Sequence, residues 1–166
     1  MSCSESDNVP RLSATDWASK HALADAEMYC PARLAAQAFH RHNVSAFHFQ
    51  FRHAALEVAC AASNKKCNPV AAQHASDIPF WLSNRDGKVT VRSLEELQLA
   101  RNMSAMVASL AASGNPGASW PAWDEHAQSV MVFDVAGNGG SSVKSRMREQ
   151  LCEFWASVPD RYTPIM

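Results

Sequence analysis

Between residues 44 and 52 the sequence V-S-A-F-H-F-Q-F-R sets Phe47, Phe49 and Phe51 at every second position. Successive side chains of an extended chain point to opposite faces, so this period predicts a strand with an aromatic side. The stretch before it reads as helical from Ser13 to about His42, broken at Cys30-Pro31. Ser13 or Thr15 is placed to cap the first piece, and Pro31 suits the first turn of the second. Leu34, Ala35, Ala38 and Phe39 make a narrow apolar face there, and His40, Arg41 and His42 sit where a helix C-terminus favours cations.

Beyond the strand, residues 54–73 are alanine-rich and read as a loop with a short helix, followed by a short turn or helix over residues 76–82. The strongest helix begins at Ser93, where Ser93 and Glu96 have the spacing of a capping box. Leu97, Met103, Met106, Val107 and Leu110 supply its apolar face, and Gly114 is placed to end it. A turn at Asn115-Pro116-Gly117 leads through Trp120 and Trp123 to a short strand, Val130-Met131-Val132-Phe133, bounded by the glycines of residues 137–140. A last helix is expected from about Ser142 to Ala156, with Val143, Met147, Leu151 and Phe154 or Trp155 on one side. Strands interspersed with helices, and no internal repeat, make an α/β chain of one domain or part of one.

Composition narrows the function classes. The 166 residues are 47% hydrophobic with a net charge of −1, so the basic footprint of a nucleic-acid binder is missing and a core is affordable. No apolar run is long enough to span a membrane, and the polar start MSCSESDNVPRLS lacks the apolar stretch of a signal peptide. The five cysteines include no C-x-x-C pair. Cys60 and Cys67 flank the polar stretch AASNKK, which suits either a local disulfide or two unrelated thiols.

The seven histidines do not form a metal set: His40 and His42 point to different sides of a helix, and His48 and His53 to opposite faces of a strand. Gly137-Asn138-Gly139-Gly140 shares only glycine content with a phosphate loop. The G-x-S-x-G elbow, whose sharp turn exposes a hydrolase's serine, does not occur.

One string carries more. Gln73-His74-Ala75-Ser76-Asp77-Ile78-Pro79-Phe80-Trp81 resembles the catalytic-histidine loop of type B carboxylesterases, the family that includes the cholinesterases. There a His is followed by two variable residues, an acidic one and an apolar run with Phe, matched in order by His74, Asp77, Ile78 and Phe80. The flanks match as well: Thr15-Asp16-Trp17, Cys30-Pro31, the aromatic strand with Arg52-His53, the helix ending in Gly114-Asn115-Pro116, Trp120-Pro121, and Arg148, Cys152, Phe154 and Trp155. Gly117 stands where the family usually has Asn. The resemblance covers residues 15–157, leaving polar tails over 1–14 and 158–166.

It implies the C-terminal part of an α/β-hydrolase fold, with few strands, several flanking helices and an incomplete sheet. It implies a disulfide between Cys30 and Cys152, leaves Cys60 and Cys67 as a local extra and Cys3 as the odd thiol, and makes His74 the catalytic histidine. It implies no cofactor and no metal, a small carboxylic ester as substrate of the full-length enzyme, and a secreted protein whose signal lies upstream. In this family the triad runs Ser, acid, His along the chain, so the nucleophile and acid are expected before residue 1. Asp16, Asp25, Glu27 and Glu57 precede His74, and Ser45 and Ser63 carry hydroxyls, but none stands in an elbow-like context.

Two functions therefore stand: the His-bearing portion of a serine carboxylesterase, inactive alone, or a non-catalytic cholinesterase-like interaction module. Self-association through the last helix or the exposed sheet edge is expected of either. Phe80 and Trp81 suit core packing better than a gorge wall. Asn43-Val44-Ser45 and Asn102-Met103-Ser104 are N-x-S sequons, the first placed just before the strand.

Overall fold

The structure, a computed structural model, describes residues 13–55, 72, 74–83 and 93–158. Among them lie α1 (Ala14–Ala24), a π-helical turn (Asp25–Tyr29), α2 (Cys30–Arg41), β1 (His48–Phe51), α3 (Ile78–Trp81), α4 (Leu94–Ser113), β2 (Val130–Phe133), a 3-10 turn (Ala136–Asn138), β3 (Ser142–Lys144) and α5 (Glu149–Ser157). The strands form one three-stranded sheet in the order β1-β2-β3. The chain divides into two compact units, one of Arg11–His48, Ala122–Val130 and Lys144–Met166, the other containing Phe49–Pro121 and Met131–Val143.

In the first unit Ser13 begins α1 with a full capping box: Asp16 N–H donates to Ser13 Oγ, and the Asp16 carboxylate accepts from Ser13. Those bonds hold the Asp16 carboxyl below its ordinary value. The break expected at Cys30-Pro31 is absent: the helical path runs on from Ala14 to Arg41. The turn ahead of Pro31 widens instead, and Cys30 N–H donates to Asp25 O, a π-type bond. Proline lacks an amide hydrogen and its ring crowds the carbonyl four residues back, so a local widening lets the helix run through.

The apolar face expected on α2 is largely exposed. Ala35, Ala38 and Phe39 face solvent, while Cys30 and Ala36 are buried and Arg33 is half-buried. Two anchors fix this rotation: Cys30 is disulfide-bonded to Cys152 across 122 residues, and Arg33 donates to Gln128 Oε1 from Nε (3.0 Å) and Nη2 (2.7 Å). Tyr29, Cys30, Val130 and Cys152 form the core, with Met147 and Trp155 against it. Tyr29 is held by its hydroxyl, which donates to Met147 O at 3.0 Å, and its burial pushes the phenol up to about 12. Arg148 pairs with the buried Asp25 and lies 5.7 Å over the Tyr29 ring.

The last helix is shorter than its periodicity suggests. Residues 142–144 are β3, and α5 starts only at Glu149. Arg146 and Arg148 both take positive φ (51° and 57°), which ends any helical path between them and β3. Arg146 is kept there by Glu149, whose two oxygens receive its Nε (2.8 Å) and Nη2 (2.6 Å). Leu151 and Phe154 on α5 are exposed.

In the second unit α4 has the expected limits. Ser93 Oγ accepts from Glu96 N–H, Glu96 Oε2 accepts from Ser93 N–H, and Gly114 closes the helix at φ 72°. Its buried face is Leu99, Ala100 and Met103, with Leu97, Met106 and Leu110 half-buried and Val107 exposed. The inward stripe is thus turned toward Leu99 and Ala100, because α3 packs on α4 there and Ser104 is taken up by α3 carbonyls. All four residues of β2 are buried, as a continuous apolar run suggests. Among the described residues no helix is long and apolar enough to cross a membrane.

Candidate functional site

His74 opens a turn that continues through Asp77 into α3. Ala75 takes φ 64°, and Ile78 N–H donates to Ala75 O at 3.2 Å. The left-handed residue reverses the chain, so His74 is exposed while Ser76, Pro79 and Phe80 just after it are buried. No hydrogen-bond partner of the His74 ring occurs among the described residues. The imidazole therefore stands out from a turn whose base is packed.

That base is held at several points. Trp81 Nε1 donates to Asp77 Oδ2 at 2.9 Å, so the acidic residue of the His74 string closes its own turn. Ser104 on α4 hydrogen-bonds the carbonyls of Phe80 (3.1 Å) and Trp81 (3.0 Å), and its hydroxyl lies 2.7 Å from Ser83 Oγ. Phe80, fully buried, meets the rings of Phe51 (4.9 Å) and His53 (5.8 Å). Trp81 packs edge-on against Phe49 and Phe133 at 5.0 and 5.2 Å and stacks near Trp120 at 6.2 Å. Phe80 belongs to the packed core, and Trp81, half-buried, packs its ring against the neighbouring aromatics.

Beside Phe80 the fold assembles a cluster that the sequence does not announce. His53 Nε2 donates to Glu96 Oε1 at 2.9 Å, and its Nδ1 faces Asp134 Oδ1 at 3.7 Å. Asp134 also receives Val135 N–H (2.9 Å) and Asn138 Nδ2 (3.0 Å), with Arg52 Nε 3.8 Å from its other oxygen. Each nitrogen of His53 thus faces a carboxylate, and among the described residues neither is directed at a hydroxyl whose proton it could take. The cluster ties strand to helix. Of its signals, only the neighbouring Arg52-His53 pair is visible locally.

His48 is the buried residue of β1, 6% exposed, while Phe49 and Phe51 are half-buried. Its ring lies 5.0 Å from that of Tyr29, and burial, with Arg33 as a lesser cause, pushes its pKa down to about 4. It is a neutral core imidazole.

Other candidate groups are engaged elsewhere or remote. Asp16 serves the α1 cap and Asp25 pairs with Arg148, whereas Glu27 and Ser45 are exposed. Glu57, Ser63, Cys3, Cys60 and Cys67 lie outside the described residues, as do the tails 1–12 and 159–166. The expected Cys30–Cys152 disulfide is present.

A family described as the carboxylesterase family matches residues 4–155. A search of curated proteins finds no match. Among solved structures, a PNB esterase superposes with a TM-score of 0.65 at 20% identity, covering 84% of this chain and 27% of its own. An esterase from Clostridium hathewayi, described as able to hydrolyse aliphatic aromatic polyesters, gives 0.61 at 18% identity, covering 82% and 28%. A Geobacillus stearothermophilus carboxylesterase gives 0.52 at 19% identity, covering 72% and 24%. The chain therefore spans about a quarter of the length of these enzymes, and its small open sheet with flanking helices is part of the α/β-hydrolase fold. On the family match over most of its length, the chain belongs to the carboxylesterase family.

Proposed function

We propose that this chain is the histidine-bearing portion of a serine carboxylesterase, with His74 as the general base. The observation that carries the reading is the exposed His74 imidazole on a turn whose next residues, Ser76, Pro79 and Phe80, are buried. A general base needs a free ring nitrogen and a fixed backbone. The packed Phe80, the Asp77–Trp81 bond and the Ser104 bonds supply the fixed backbone.

In the complete site a serine from a G-x-S-x-G turn attacks the ester carbonyl while His74 takes its proton. An acid holds the tautomer and stabilises the imidazolium, and His74 returns the proton to the leaving alcohol. Serine and acid would come from a part of the protein that precedes this sequence in triad order. The substrate class is a carboxylic ester. Family membership and the esterase neighbours support that class, without favouring any particular acid or alcohol.

The test joins the chain, by fusion or co-expression, to the serine- and acid-bearing portion of a carboxylesterase and follows hydrolysis of an aryl ester. His74→Ala should lower kcat by roughly three orders of magnitude or more, as loss of a triad member does, with the folded fraction unchanged. His48→Leu and His53→Gln should cost far less activity per folded molecule. Equal rates with and without His74 would overturn the assignment.

A further inference from the structure

We propose that Asn43 is an N-glycosylation site and that the second sequon, at Asn102, is not used. Both satisfy the N-x-S pattern, so the sequence alone does not separate them. Their surroundings do.

Asn43 follows His42, the C-cap of α2, and takes φ 58°, a left-handed conformation that asparagine tolerates better than most residues. Its N–H donates to His40 O at 2.9 Å, which fixes the backbone of the turn. Asn43, Val44 and Ser45 are all exposed, and the chain stays free of helix and strand until β1 begins at His48. Neither the Asn43 carboxamide nor the Ser45 hydroxyl has a hydrogen-bond partner among the described residues. The two groups that a transferase must engage together are open on one loop.

Asn102 is placed differently. It lies inside α4, where its Oδ1 accepts from Gln98 Nε2 at 2.9 Å. Residues two apart on a helix point to different sides. Met103 between them is fully buried, and the Ser104 hydroxyl is committed to the carbonyls of Phe80 and Trp81. In the folded chain, engaging this sequon would require unwinding the helix and releasing the turn that follows His74.

One further observation favours the modification and another favours Asn43. Disulfides such as Cys30–Cys152 form and persist in oxidising compartments, the kind in which this modification takes place. Phe39 and Val44, at 54% and 50% exposure, stand exposed on the α2 end and loop that carry Asn43, and a bulky hydrated glycan would shield such apolar surface. The proposal rests on the chain entering the secretory pathway, not on its being an esterase.

The chemistry takes a lipid-pyrophosphate-linked oligosaccharide as donor. Asn43 Nδ2 bonds to the anomeric carbon, the bond from that carbon to the pyrophosphate oxygen breaks, the amide proton passes to a base of the transferase, and the lipid pyrophosphate leaves.

To test it, the full chain is directed into the lumen of the endoplasmic reticulum by a cleavable heterologous signal, and signal removal identifies molecules that entered. Those molecules should carry one glycan, removable by peptide-N-glycosidase, lost in Asn43→Gln and in Ser45→Ala and retained in Asn102→Gln. Entered molecules without a glycan, or with one on Asn102, would overturn the proposal. Because entry is forced, the result reports on the acceptor loop independently of natural routing and of esterase activity.

Discussion

The Trp81 indole donates to Asp77 Oδ2 at 2.9 Å, so the acidic residue three positions after His74 holds the turn closed and does not orient the histidine ring. A hydrogen bond to a charged group contributes about 1.5–3 kcal/mol. Trp81→Phe, which keeps much of the ring packing, should cost stability toward the lower end of that range, and Asp77→Ala a similar amount. Because the two share one bond, the double variant should cost clearly less than the sum of the singles. Strict additivity in denaturant midpoints would show that the bond does not hold the turn.

Closing a loop of 122 residues, the Cys30–Cys152 disulfide should stabilise the fold by an amount on the order of 4–5 kcal/mol by loop-entropy reasoning. Denaturant unfolding of Cys30→Ala/Cys152→Ala against the parent, both without reductant, measures it. Equal midpoints would mean that the unfolded chain gains nothing when the link is removed.

His48 gives the chain a pH dependence with a definite sign. Its folded pKa of about 4 lies below the ordinary 6.5, so the unfolded chain binds the proton more readily between those values. The contribution to stability is fully present above 6.5 and is lost as pH falls through the window toward 4. A shift of this size corresponds to something on the order of 3 kcal/mol. His48→Leu should remove it. The difference in stability between the two proteins should therefore slope across that window and flatten outside it, while carboxylates common to both cancel. A difference that stays flat from pH 7 to 4 would sink the argument.

These elements were legible to different degrees, for physical reasons. The α4 limits follow from two local devices, the Ser93–Glu96 box and a left-handed glycine, and both are in place. β2 followed from four consecutive apolar residues, and all four are buried. β3 was hidden because Val143, Met147 and Leu151 mimic a helical period, whereas the positive φ values of Arg146 and Arg148 that interrupt it depend on Glu149 and Asp25. In β1 the alternation marked the strand, and the strand is there, but it did not show that His48 is the residue enclosed, next to Tyr29. The string around His74 singled that residue out, but the bonds from Ser104, on another helix, to the turn that follows it left no local mark.

Gly114→Ala isolates the backbone cost of the α4 terminus. A Cβ there would meet nothing within 4 Å, so the penalty comes from φ 72° alone, about 1–2 kcal/mol for a side chain in the left-handed region. Gly114→Asn should cost less, because asparagine visits that region more readily. Thermal midpoints that fail to rank glycine, asparagine and alanine in that order would count against the reading.

Glu96 carries at least two loads, and they rank three substitutions. Its Oε2 caps α4 by accepting Ser93 N–H at 3.1 Å, and its Oε1 accepts His53 Nε2 at 2.9 Å, a residue 43 positions away. Ser93→Ala removes only the cap hydroxyl, which costs about 1 kcal/mol. Glu96→Gln keeps one carbonyl acceptor but turns its amide donor toward a second donor, so one of the two bonds is lost. Glu96→Ala loses both, and leaves His53 facing Asp134 with its other nitrogen unpartnered in a half-buried site. The destabilisation measured by denaturant should therefore increase from Ser93→Ala through Glu96→Gln to Glu96→Ala, the last exceeding the first by about 1.5 kcal/mol or more. If Glu96→Ala cost no more than Ser93→Ala, Glu96 would be a helix cap and nothing else, and the link from the aromatic strand to α4 would have no energetic content.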